Sequence, residues 1–110
     1  MVGESAYVKL VVAVPATHAG AVREALAAAG AGRQGNYTHC SGSHPTIGRF
    51  MPQSGAHPAI GAMGQLEEVE EETIETICHK DLVAAVVAAV KKAHPYEEVP
   101  IDIIPRLELS

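Results

Sequence analysis

Five consecutive residues near the end of the chain, His94-Pro95-Tyr96-Glu97-Glu98, carry an imidazole, a phenol and two carboxylates. Such groups suit proton transfer, hydrogen-bond recognition or metal ligation. Imidazole and thiolate favour zinc or copper, with carboxylate as a third ligand type. His39, Cys40, His94 and Glu97 are therefore the candidate metal ligands, and a divalent zinc or copper ion the candidate cofactor. Their spacing is not that of CxxC or HExxH. His39 and Cys40 are also adjacent, so on a strand they point to opposite faces and at most one readily joins a given site. A purely structural reading stands beside this one. Pro95 stops a helix, His94 hydrogen-bonds a backbone carbonyl, Glu97 or Glu98 caps strand amides, and Cys40 is a small buried residue. Cys40 as a nucleophile would need a depressed thiol pKa and an oxyanion hole, and the sequence shows neither. No residue is assigned as catalytic.

The elements that position these groups can be read in order. Residues 1–5 are expected to fray. From Tyr7 to Pro15, Val8, Leu10, Val12 and Val14 share one face, and Val11 and Ala13 make the other partly apolar, which fits a central strand. Thr17 is placed to cap a helix over His18–Ala29 with a stripe of Val22, Leu26 and Ala29, closed by Gly30. Gly35–Ser43 is polar and β-compatible, and Thr46–Met51 is expected to pair back on it as a short strand. The Gly42–Gly64 region is rich in Gly and Pro but carries Ile47, Phe50, Met51, Ile60 and Met63, which suits a functional or interface loop. Arg33 and Arg49 are the nearby cations, which gives little support to phosphate binding there. Leu66–Ile77 reads as a strand with a bulge, because Ile74 and Ile77 fall on opposite faces. Its Glu67–Glu72 run is expected to be a solvated strand edge. Asp81 caps a second helix to Ala93 with a stripe of Leu82, Val86, Ala89, Val90 and Ala93. The last strand, Val99–Leu109, has one buried face and two prolines, Pro100 and Pro105, that mark an edge or a bulge.

The order β-α-β-β-α-β predicts a single α+β domain over residues 1–110, a ferredoxin-like plait with two helices on one face of an antiparallel sheet. The helix-free face then needs cover. With much Ala and Val, one Phe and no Trp, the core is light, and both features point to self-association. The formal net charge is −5, with only 8 Lys and Arg, which argues against nucleic acid or an anionic membrane as the main partner. No leader pattern and no apolar run of about 20 residues is present. A cytoplasmic protein with reduced Cys40 and Cys78 is expected.

Five segments occur in a fixed order: Gly35-Asn-Tyr-Thr-His-Cys-Ser41, Ile47-Gly-Arg-Phe-Met-Pro52, Gly55-Ala-His-Pro-Ala-Ile-Gly61, Gly64-Gln-Leu-Glu-Glu-Val-Glu-Glu71 and His94-Pro-Tyr-Glu-Glu98. Over about residues 6–107 the chain resembles the YqfO domain, the PII/CutA-like insert of the Nif-three-like family. The resemblance implies a plait, a homotrimer, and inter-subunit clefts that bind a small ligand or metal ion. On the matching motifs, the candidate ligand contacts are Tyr37, His39, Gly48, Phe50, His94, Tyr96, Glu97 and Glu98. The paired metal ions of the longer relatives sit in flanking domains, so no dinuclear centre is implied. The expected work is non-catalytic binding, of a small molecule, a metal ion or a protein partner. The alternatives are a metal-dependent hydrolase unit, or a regulatory subunit acting in trans on a Nif-three-like metal protein.

Overall fold

The computed structural model describes the whole chain, Met1–Ser110. Strand β1 (Val2–Pro15) is followed by a single 3₁₀ turn, helix α1 (Ala19–Ala28), strand β2 (Gly42–Phe50), strand β3 (Glu67–His79), a second 3₁₀ turn, helix α2 (Val83–Ala93) and strand β4 (Ile101–Leu109). The strands form one antiparallel sheet in the order β2-β3-β1-β4. This is the plait that the element order predicts.

The alternation in β1 decides where the core lies. Val8, Leu10, Val12 and Val14 are all buried, and they meet Val22 and Leu26 of α1, Val86 and Val90 of α2, and Ile74 and Cys78 of β3. The core cluster holds 12 residues, which is thin for 110. Cross-strand partners share a face. Register therefore puts Val11, Ala13, Thr73, Glu75, Gly48 and Phe50 on the side away from the helices.

Helix α1 ends in a Schellman motif: Gly30 N–H donates to Ala27 O (3.1 Å) and Ala31 N–H to Leu26 O (3.0 Å). Gly30 sits at φ 109°, and a Cβ there would meet Leu82 Cδ1 at 2.9 Å. The α1 C-terminus therefore lies against the start of α2. The two helices are antiparallel, as two antiparallel parent strands require.

Several expectations are corrected. Residues 2–4 do not fray: Val2, Gly3 and Glu4 pair with Leu109, Glu108 and Leu107, and Ser110 N–H donates to Met1 O at 2.8 Å. Gly35–Ser43 is not a strand partner for Thr46–Met51. It forms turns up to residue 41, and β2 pairs with β3 instead, because the intervening loop is long enough to return the chain beside it. β3 runs in continuous register without a bulge. The irregularity lies in β1, where three residues, Ser5–Tyr7, stand opposite Arg106 alone, beside Pro105. Neither expected helix cap forms. Thr17 Oγ1 bonds the His18 ring (2.9 Å), and His79 Nδ1 accepts from the Asp81 amide (3.1 Å). β4 is an edge strand, as its prolines suggest, but it has no buried face within one chain. Ile103, Leu107 and Leu109 are 51%, 69% and 79% exposed. Cys40 and Cys78 are both free thiols, and burial raises the Cys78 pKa.

Gly30→Ala is expected to lower unfolding stability by roughly 1–3 kcal/mol, the usual cost of forcing a side chain into left-handed backbone. A urea denaturation curve with a lower midpoint and unchanged slope checks this.

Candidate functional site

The His94–Glu98 corner is held to the sheet by a defect in the ladder between β1 and β4. Beyond the Val12–Ile101 pair, Ala13 N–H donates to Pro100 O at 3.2 Å. The reciprocal bond cannot form, because Pro100 has no N–H. His94 supplies the missing donor: its Nε2–H donates to Ala13 O at 2.7 Å. On the other side of the ring, Nδ1 accepts from the Tyr96 amide at 3.1 Å. The two bonds fix the neutral Nε2–H tautomer and leave neither nitrogen lone pair for a metal. His94 is only 6% exposed, and burial lowers its pKa, against the smaller opposing pull of the Ala13 carbonyl and Glu71.

Tyr96 is positioned next. Its ring stands 4.9 Å from that of His94 and 5.5 Å, edge to face, from Phe50. Its hydroxyl donates to Glu71 Oε2 at 2.6 Å. Burial and that carboxylate push the phenol pKa well above its ordinary value. Glu71 is 6% exposed although it belongs to the acidic run. The expectation of a solvated edge fails because β3 is an inner strand, flanked by β2 and β1. The carboxylate lies directly over Gly48, where any Cβ would collide with it.

The long connection between β2 and β3 closes over these groups. Gly64 N–H donates to Pro52 O at 2.7 Å at its base. Midway, the His57 amide donates to Glu97 Oε1 at 3.0 Å. Between this loop and the corner lies a cleft of ≈ 490 Å³. Ala13, Gly48 and Glu71 lie on the sheet side, Ala56, Pro58 and Ile60 on the loop side, and Arg49, Phe50, Tyr96, Glu97, Glu98 and Val99 are among the other lining residues. The volume suits a small organic molecule.

Of the predicted contacts, Gly48, Phe50, Tyr96, Glu97 and Glu98 converge on this cleft, with His94 packed behind Tyr96. Tyr37 and His39 do not. Tyr37 is 72% exposed in a turn, paired with Gln34. His39 lies near Glu24 (3.4 Å) beside a smaller groove shared with Cys40. The candidate metal set is split for the same reason. Because α1 and α2 are antiparallel, the segments that follow them leave from opposite ends of the sheet. Cys40 O meets Thr76 on β3, five residues from Glu71, or about 17 Å at the usual strand rise. No three His, Cys, Asp or Glu side chains in the chain converge as a metal site, so His39, Cys40, His94 and Glu97 do not fit zinc or copper within one chain. Glu71 is the residue that sequence reasoning missed. Its signal was faint: it faces the same side of the sheet as Gly48, the one residue type that leaves room for a buried carboxylate above it.

No protein-family model matches the chain. It is 52% identical over 102 residues to a protein of Halalkalibacterium halodurans named GTP cyclohydrolase 1 type 2 homolog, covering 93% of this chain and 27% of that one. The Bacillus subtilis protein of the same name is 50% identical over 97 residues, with 88% and 26% covered. The chain thus spans about a quarter of the length of the curated relatives it matches. Among solved structures, a Bacillus cereus protein related to NIF3 superposes with a TM-score of 0.79 at 48% identity, over 96% of this chain and 26% of that one. The divalent cation tolerance protein CutA of Archaeoglobus fulgidus superposes with a TM-score of 0.61 at 19% identity, over 91% and 83%, which shows the shared fold. No helix is long and apolar enough to cross a membrane.

Two outcomes test this geometry. A folded-state pKa below the unfolded value of about 6.5 means that the unfolded chain takes up the proton first. His94 therefore contributes stability that is present above pH 6.5 and lost as pH falls through its lowered folded pKa. His94→Gln should flatten that part of the stability–pH curve measured by urea unfolding. Glu97→Ala should raise amide exchange at His57 about tenfold or more, by removing a charge-assisted bond, and leave β1 and β3 protected. Hydrogen-exchange mass spectrometry reads both regions.

Proposed function

We propose, for a chain related along nearly its whole length to the YqfO-type segment of NIF3-related proteins, that it is a non-catalytic module that binds a small ligand. The cleft over Glu71 is its binding site. The observation that carries this reading is the largely apolar cleft with a few convergent polar groups, all on one side of the sheet. Its imidazole and Glu97 are engaged with backbone and its phenol with Glu71, an arrangement suited to recognition rather than turnover.

The module works as a homotrimer. A core of 12 residues leaves the chain thinly stabilised, while Val11 on the open face and Ile103, Leu107 and Leu109 on the β4 edge remain accessible within one chain. Packing open faces together would bury Val11 and border the cleft with a second chain, while pairing along the β4 edge would cover Ile103, Leu107 and Leu109. The quarter-length match favours a regulatory role: the same unit, carried in longer relatives beside other segments, reports ligand binding to them.

Light scattering should return three times the 11.5 kDa chain mass, and a stable 11.5 kDa monomer would overturn the trimer. For binding, an NMR titration with a panel of small metabolites should move the amides of Gly48, His57 and Val99 together without product forming. Turnover of any compound would sink the non-catalytic reading.

A further inference from the structure

Glu71 uses only one of its carboxylate oxygens. Oε2 accepts from Tyr96, and Oε1 accepts no hydrogen bond from the chain. Every fully buried side-chain polar atom has a partner, so Oε1 is reached from outside. The carboxylate sits over Gly48, and both residues line the cleft. A residue more than nine-tenths buried thus lines the cleft while one of its carboxylate oxygens has no partner in the chain. The surroundings share its sign. Glu97 and Glu98 line the same space, and the one cation there, Arg49, already faces Glu68 at 3.5 Å. Above Glu71 stand the rings of Phe50 and Tyr96.

Resting on the binding-module reading, we propose that the ligand is an organic cation: an amine, amidine or guanidine nitrogen carried on a flat apolar body. Its N–H donates to Glu71 Oε1, Glu98 adds longer-range attraction, and the body packs on Phe50, Pro58 and Ile60. Three carboxylates against one already-paired arginine disfavour a phosphate or carboxylate ligand at the same place. The pre-existing Tyr96 bond holds the carboxylate in its binding pose before the ligand arrives, which lowers the ordering cost.

Benzamidine, benzamide and benzoate share size and shape but differ in charge, so they isolate the effect. Titrated into the intact protein and followed by amide NMR, benzamidine should shift Gly48, His57 and Val99 with at least tenfold higher affinity than benzamide, and benzoate should not shift them. Glu71→Gln keeps the Tyr96 bond and should reduce benzamidine affinity by about tenfold, the usual worth of a charge-assisted bond. If that variant fails to fold, Glu98→Gln, whose side chain is exposed, should still weaken benzamidine measurably and leave benzamide unchanged. Equal or tighter cleft binding of benzamide or benzoate overturns the cation inference but leaves the binding module standing. No response of the cleft amides to any of the three overturns the inference and counts against the module as well.

Discussion

The bond from His94 Nε2 to the Ala13 carbonyl is the contact on which the site depends. It exists because a proline occupies the position that should have completed a ladder pair. A buried carbonyl without a donor costs about 1–3 kcal/mol, so Pro100 creates a demand that His94 meets. Meeting it fixes the ring, the ring's other nitrogen fixes the Tyr96 backbone, and the Tyr96 hydroxyl fixes Glu71. The chain of bonds runs from the edge of β4 across β1 to β3 without a flexible link. A backbone vacancy at the sheet edge has thereby been converted into an oriented carboxylate in a cleft.

Much of the fold was legible in the chain because single residues forced it. The valine alternation of β1 could bury only one face, and Gly30 could only close a helix. The placement of the middle strands was less legible. Gly42–Phe50 has little β-character of its own, and six of its nine residues, Gly42 to Pro45, Ile47 and Arg49, stay exposed, so its strand state comes from pairing with β3. The acidic run misled for a related reason. Sequence shows charge but not whether a strand lies inside or at the edge of a sheet, and Glu71 becomes buried only once β2 has docked beside it. The His94–Glu98 corner was readable as a stop with a histidine satisfying a carbonyl. Which carbonyl, and why it was free, required the register of β1 on β4.

Electrostatics and topology together explain why the two groups of candidate residues separated. A zinc or copper site built from His39, Cys40, His94 and Glu97 would need two segments that follow antiparallel helices to meet, and the plait sends them to opposite poles. What gathers at the upper pole is an aromatic pair and three carboxylates, closed by a loop tied through one amide of His57. That tie is a single bond at an exposed position. It holds the loop over the cleft without welding it.

The pairing of Val2–Glu4 with Leu107–Leu109 also has an architectural consequence. The first and last strands run side by side to their outer ends, so the polypeptide enters and leaves the unit about one strand spacing apart, close to 5 Å. A longer chain could accept the unit at one surface loop without separating its own flanking segments. The bulge at Ser5–Tyr7 breaks the register between this stem and the rest of β1. The plait thus has the geometry of a graft, with a stem at one end, the cleft at the other, and a break in register between them.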